Sequence, residues 1–153
     1  MRQFLSRFLV AFIIVSVCSS FVYGIFGKKC GIKGYVYEMK GNQMPSPDEP
    51  RQAPKGIKTQ VYIYELTGPS QVVRDERPGF YKSVNTKLVK QVSTDNKGYF
   101  SVKLKPGTYS VFTAVDSLLY ANMFDQDNNI YPVEVVKKKM TEVVIRQDFN
   151  AAY

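Results

Sequence analysis

Residues Thr94–Val115, TDNKGYFSVKLKPGTYSVFTAV, hold two turn signals and two alternating runs, with no evident reactive group. Asp95, Asn96, Lys97 and Gly98 are turn formers, and Gly98 can take the positive φ that closes a four-residue hairpin. Beyond it, Phe100, Val102 and Leu104 fall on one face of an extended chain, and Ser101 and Lys103 on the other. At Lys105–Thr108, Pro106 presets φ at the first central position and Gly107 accepts positive φ at the second, which predicts a type II turn. Tyr109, Val111, Thr113 and Val115 then share a face of the returning strand. The segment is strand, turn, strand, with the core written in at period two.

Outward from this meander the same pattern holds, and nothing after the first two dozen residues keeps a helical period. GIKGYVYEM (31–39) and TQVYIYEL (59–66) carry β-branched and aromatic residues on both parities, which suits a strand covered on both sides or lying at a sheet centre. TKLVKQVS (86–93), SLLYANMF (117–124), NIYPVEVV (129–136) and MTEVVIRQDF (140–149) supply the remaining strands, the second as a short strand or an irregular crossing. Two segments interrupt the pattern. Pro45, Pro47, Pro50 and Pro54 remove backbone donors from the stretch after the first strand, so it reads as an extended surface loop. TGPSQVVRDERPGFYKSVN (67–85) reads as a second irregular insertion. About seven or eight strands at this spacing predict an all-β, two-sheet antiparallel sandwich, immunoglobulin-like in type, over residues 31–153.

The first 24 residues read as a secretory signal peptide: Arg2 and Arg7, an apolar run from Phe8 to Val17, then small and polar residues to Gly24. The apolar run is about ten residues, against ~20 for a bilayer span. Residues 25–30 are a short linker. The expected address is therefore exported: periplasm, outer envelope or secreted. A second reading puts a lipid on Cys18 of VSVCSS, although Val17 stands where a lipobox wants a small residue. Cleavage after Gly24 leaves Cys30 as the only thiol and no internal disulfide. The net charge of +8 includes Arg2 and Arg7, and the remaining basic residues are spread along strands and turns, with only Lys137, Lys138 and Lys139 in a longer run. For an exported chain this fits an anionic envelope better than nucleic acid.

STDNKGYFSVKLKPGTYSV resembles the carboxypeptidase regulatory-like domain, a transthyretin-like or prealbumin-like sandwich, through Thr94, Asp95, Gly98, Phe100, Pro106, Gly107 and Tyr109. IKGYVYE and GIKTQVYIYE are similar to that family's first two strands. The resemblance implies a small exported bacterial version of the sandwich and is silent about its partner. The proline-laden loop and the 67–85 insertion depart from the family's pattern and are candidates for lineage-specific binding surfaces.

The chain has no histidine, which removes His-based acid–base chemistry, Ser-His-Asp and Cys-His nucleophiles and most zinc sites. Cys30 lacks a His partner. Asp125, Asp127 and Asn129 have the D-x-D-x-N spacing of a calcium loop, but Ile130 and Val136 stand where an EF-hand needs Gly and Glu, so an ordinary polar turn is the expectation. Asp116, Asp125, Asp127 and Glu134 are the only clustered acids, and a hydrolase using a carboxylate pair would have to draw on them. Tyr35, Tyr37, Tyr62 and Tyr64, on strands expected to be neighbours, could instead line a sugar-binding face. No catalytic, cofactor or metal residue is assigned. The expected function is a non-enzymatic envelope or secreted binding or structural module with a protein or glycan partner; the alternatives are a carbohydrate-binding module and a paired-acid hydrolase.

Overall fold

The computed structural model describes residues 30–44 and 53–153. Eleven strands follow one another: β1 (Gly31–Asn42), β2 (Lys55–Gly56), β3 (Gln60–Glu65), β4 (Val72–Arg74), β5 (Phe80–Val84), β6 (Leu88–Ser93), β7 (Tyr99–Lys103), β8 (Gly107–Val115), β9 (Leu118–Tyr120), β10 (Pro132–Val135) and β11 (Met140–Ala152). Among the described residues there is no α-helix, only a 3-10 turn at Pro69–Gln71. The segment read as a signal peptide, Cys18 and most of the proline-laden loop lie outside the described residues.

The turn between β6 and β7 forms as its residues dictate. Gly98 N donates to Asp95 O at 3.0 Å, Gly98 takes φ +82°, and the Asp95 carboxylate accepts from the backbone of Lys97 and Tyr99 at 2.8 Å each. A Cβ on Gly98 would also lie 2.3 Å from Val36 O, so glycine is required twice over. The second turn departs from the type II expectation. Gly107 has φ +153°, nearly extended, and the bend is tied by the Tyr109 hydroxyl, which donates to Lys105 O at 3.0 Å.

β1 is the spine of the first sheet. β11 runs parallel along one edge, while β7 and β2 share the other edge, both antiparallel. The parallel pair sets the first strand of the sandwich beside its last, and at Gly34 the approach is so close that a Cβ would sit 1.9 Å from Val143 O. The second sheet has the order β4-β5-β9-β8-β3-β6, with β10 also pairing β8. Ile32, Val36, Phe100 and Ile145 from the first sheet meet Val61, Ile63, Val111, Val133 and Val135 from the second. Each fully buried aliphatic of this kind contributes about 1.5–3 kcal/mol.

The two-sheet sandwich agrees with the sequence, with four refinements. The strand count is higher, because β2 and β4, of two and three residues, are too short to show alternation, and β5 lies in the segment read as an irregular insertion. The 67–85 insertion is not irregular: β4 and β5 form a hairpin that extends the second sheet through β9, with the turn held by Asp75 N donating to Phe80 O and by Gly79 at φ +78°. β8 is buried on both faces at its centre, since Phe112 on the face away from the main core takes the rings of Tyr64 and Tyr81 edge-on at 5.6 and 5.5 Å. β1 lies at a sheet centre but is covered on one side only: Ile32 and Val36 are buried, and Tyr35 is exposed.

Candidate functional site

Strand alternation turns Lys33, Tyr35 and Tyr37 of β1 away from the core, and the register brings matching rows from both neighbours. Lys33 lies between Glu142 and Ser101, Tyr35 between Val144 and Tyr99, and Tyr37 between Arg146 and Gly56. The Tyr35 and Tyr37 rings lie 5.8 Å apart at 13°, and Tyr99 packs against Tyr35 at 5.3 Å and 57°. No described element covers this face: Tyr35 is 39 % exposed, Tyr99 37 % and Val144 52 %. The three hydroxyls have no hydrogen-bond partner among the described residues. Lys33 Nζ sits 2.7 Å from Glu142 Oε1; their hydrogen bond and attraction raise the lysine pKa and lower that of the glutamate. What the face offers is an aromatic platform whose phenolic hydroxyls are unpaired among the described residues, bordered by Arg146, Lys103 and the Lys33–Glu142 pair.

The four tyrosines grouped in the sequence do not share a face, which corrects the expectation that their strands are neighbours. Tyr62 and Tyr64 belong to the second sheet, where Tyr64 packs on Phe112 with its pKa raised by burial, and the Tyr62 hydroxyl accepts from Gln91 Nε2 at 3.3 Å. Both serve as sheet cover. Tyr99, in contrast, joins Tyr35 and Tyr37. Its parity, opposite to buried Phe100, marks it as outward-facing, but only the β1–β7 register shows beside what.

Asp125, Asp127 and Asn129 form a self-contained turn. Asp125 Oδ1 accepts from the backbone of Asp127 at 3.0 Å and of Asn129 at 2.7 Å, while Oδ2 accepts from Asn129 Nδ2 at 2.9 Å. These donors, the Asn129 side chain foremost, hold the carboxyl below its usual pKa. Each oxygen of the Asp125 carboxylate thus already accepts from the loop's own donors. Among the described residues no three His, Cys, Asp or Glu side chains form a metal-binding group.

Of the acids named for a hydrolase, Asp125 and Asp127 share the turn just described, whereas Glu134 and Asp116 lie far apart. Glu134 on β10 pairs with Thr108 near the start of β8, and Asp116 lies just past the far end of that strand. The eight residues between them span about 26 Å of extended chain, against roughly 5–10 Å for a catalytic carboxylate pair. A different carboxylate, Asp148 on β11, makes the densest polar cluster. Its Oδ1 accepts from Tyr120 Oη at 2.5 Å and Asn122 Nδ2 at 2.6 Å, and its Oδ2 from Tyr153 Oη at 3.2 Å. Burial, with Asp148 beside it, pushes the Tyr120 hydroxyl far above the usual tyrosine range. Phe80, Tyr120 and Phe149 pack mutually at 5.0–5.3 Å beside this cluster, which ties the end of β11 to β5 and β9. Cys30 is half-buried, its thiol donating to Leu104 O at 3.1 Å.

No protein-family model matches the chain, and no curated protein matches it.

Proposed function

We propose that the chain is an exported, non-enzymatic binding module that takes a glycan on the outer face of its four-stranded sheet. The observation that carries this is the outward-facing row of Tyr35, Tyr37 and Tyr99, in which Tyr35 and Tyr99 are exposed, Tyr37 is half-buried and both Tyr37 and Tyr99 pack on Tyr35. Aromatic side chains usually bury their rings; here three present them on a regular sheet, where each ring is held by its neighbours and loses little freedom on binding. A sugar ring offers apolar C–H faces for the rings and hydroxyls for the phenols. Export is supported by the Arg-flanked apolar run at Phe8–Val17, and the resemblance at Thr94–Tyr109 supports a scaffold of the carboxypeptidase regulatory-like kind.

Binding to a printed glycan array, with Tyr35→Ala, Tyr99→Ala and Tyr62→Ala compared, tests the platform. Central aromatic anchors are worth about 2 kcal/mol, or roughly thirtyfold in affinity. The first two substitutions are expected to abolish array binding and Tyr62→Ala to preserve it. No glycan bound by the intact protein, or equal loss with Tyr62→Ala, refutes the proposal.

A further inference from the structure

One end of the sandwich gathers lysines and exposed apolar side chains. At the end where the chain enters at Cys30, Gly31 pairs with both Lys103 and Met140, and its N–H donates to Lys139 O at 3.4 Å. Val135 pairs with Gly107. The turn carrying Lys103 and Lys105 and the turn carrying Lys137, Lys138 and Lys139 therefore flank the same point. All five lysines are exposed, and none is in ion-pair distance of an acid among the described residues. The pairings Glu65–Tyr109 and Tyr64–Leu88 bring Leu66 and Leu88 to this end, and Val136 precedes the lysine run; all three are exposed apolar side chains. The acids here are Glu65 and Glu134, with Glu142 already held by Lys33.

We propose that this end of the sandwich docks on an anionic lipid bilayer. Lysines set around exposed Leu66, Leu88 and Val136 match an interface that offers both negative headgroups and acyl chain. A soluble polyanion would use only the charges and leave the apolar residues wet. The platform then stands on a side wall, roughly along the bilayer normal, and the Asp95–Gly98 turn faces away from the lipid.

The test is co-sedimentation of the full chain with vesicles of phosphatidylglycerol and phosphatidylcholine and with phosphatidylcholine alone, the ratio of the two partition coefficients being the readout. The N-terminal segment, Arg2 and Arg7 included, is the same in every variant, so its contribution drops out when the variants' ratios are compared. A lysine near an anionic surface is worth about fivefold in partition. Lys137→Gln/Lys138→Gln/Lys139→Gln should lower the ratio at least tenfold, and Lys103→Gln/Lys105→Gln should lower it several-fold. The charge-matched control Lys55→Gln/Lys58→Gln/Lys97→Gln, at the opposite end, should leave it within about twofold. Equal losses in the two triple variants would assign the effect to net charge and overturn the proposal, as would a ratio unaffected by either. The two end variants check each other, since a folding defect in one does not remove the loss expected of the other.

Discussion

Replacing Tyr131 by Phe should make the protein weaker at neutral pH and stronger at high pH. Tyr131 is 5 % exposed, and its hydroxyl donates to Val144 O at 3.1 Å, linking the start of β10 to β11. Burial pushes the phenol up to about 12. The folded state therefore keeps a proton that the unfolded chain releases near pH 10, so this stability is complete below about pH 10 and lost as pH rises toward 12. Two pH units at about 1.4 kcal/mol each come to ~2.7 kcal/mol. The hydroxyl's hydrogen bond is worth about 1 kcal/mol net. Tyr131→Phe loses the bond at every pH and escapes the alkaline penalty. It should be less stable by about 1 kcal/mol at pH 8, equal near pH 10.7 and more stable above that. Urea unfolding followed by far-ultraviolet circular dichroism, both proteins side by side from about pH 8 to about pH 11.5, gives the difference directly. The raised tyrosines 64, 81, 120 and 153 titrate in both proteins and cancel. A stability difference that stays flat across this range would refute the assignment of the alkaline loss to Tyr131.

Two further outcomes are expected besides those given for the platform and the basic end. Millimolar calcium should not raise the melting temperature, because Asp125 is satisfied by Asn129 and the turn's own backbone; a ligand at 100 times its dissociation constant adds about 2.7 kcal/mol, so a rise of several degrees that Asp125→Ala abolishes would show a site. Gly34→Ala should cost about 3 kcal/mol, read from the urea midpoint, since its Cβ would meet backbone at Val143 O and must part β1 from β11; a loss under about 0.5 kcal/mol would show that the two strands separate easily.

What the amino-acid order made legible was local. The Asp95–Gly98 turn needs only its own side chains, and Phe100 and Leu104 point inward by strand parity. The β4–β5 hairpin was hidden because Pro69, Pro78 and Gly79 look like loop residues, although two of them shape its ends. The type II expectation at Pro106–Gly107 failed because a side chain two residues on, Tyr109, closes the bend from outside the four residues that define a turn. The platform was half legible: Tyr35 and Tyr37 sit two apart on one strand, but Tyr99 reaches them through a pairing of strands more than 60 residues apart. Tyr62 and Tyr64 show the same periodicity and end up in the other sheet, Tyr64 against Phe112 and Tyr62 beside Gln91.

The parallel alliance of β1 and β11 also sets when the domain can become whole. Their paired residues, such as Gly31 and Met140, are about 110 positions apart, so one edge of the first sheet stays bare until β11 is present. Contacts of such long separation must overcome loop-closure entropy before they return any stability, which places all-β topologies of this kind among slow folders. Under the export proposed above, with the chain crossing as an extended thread, that slowness is useful: until β11 has crossed there is no finished sandwich to jam the passage.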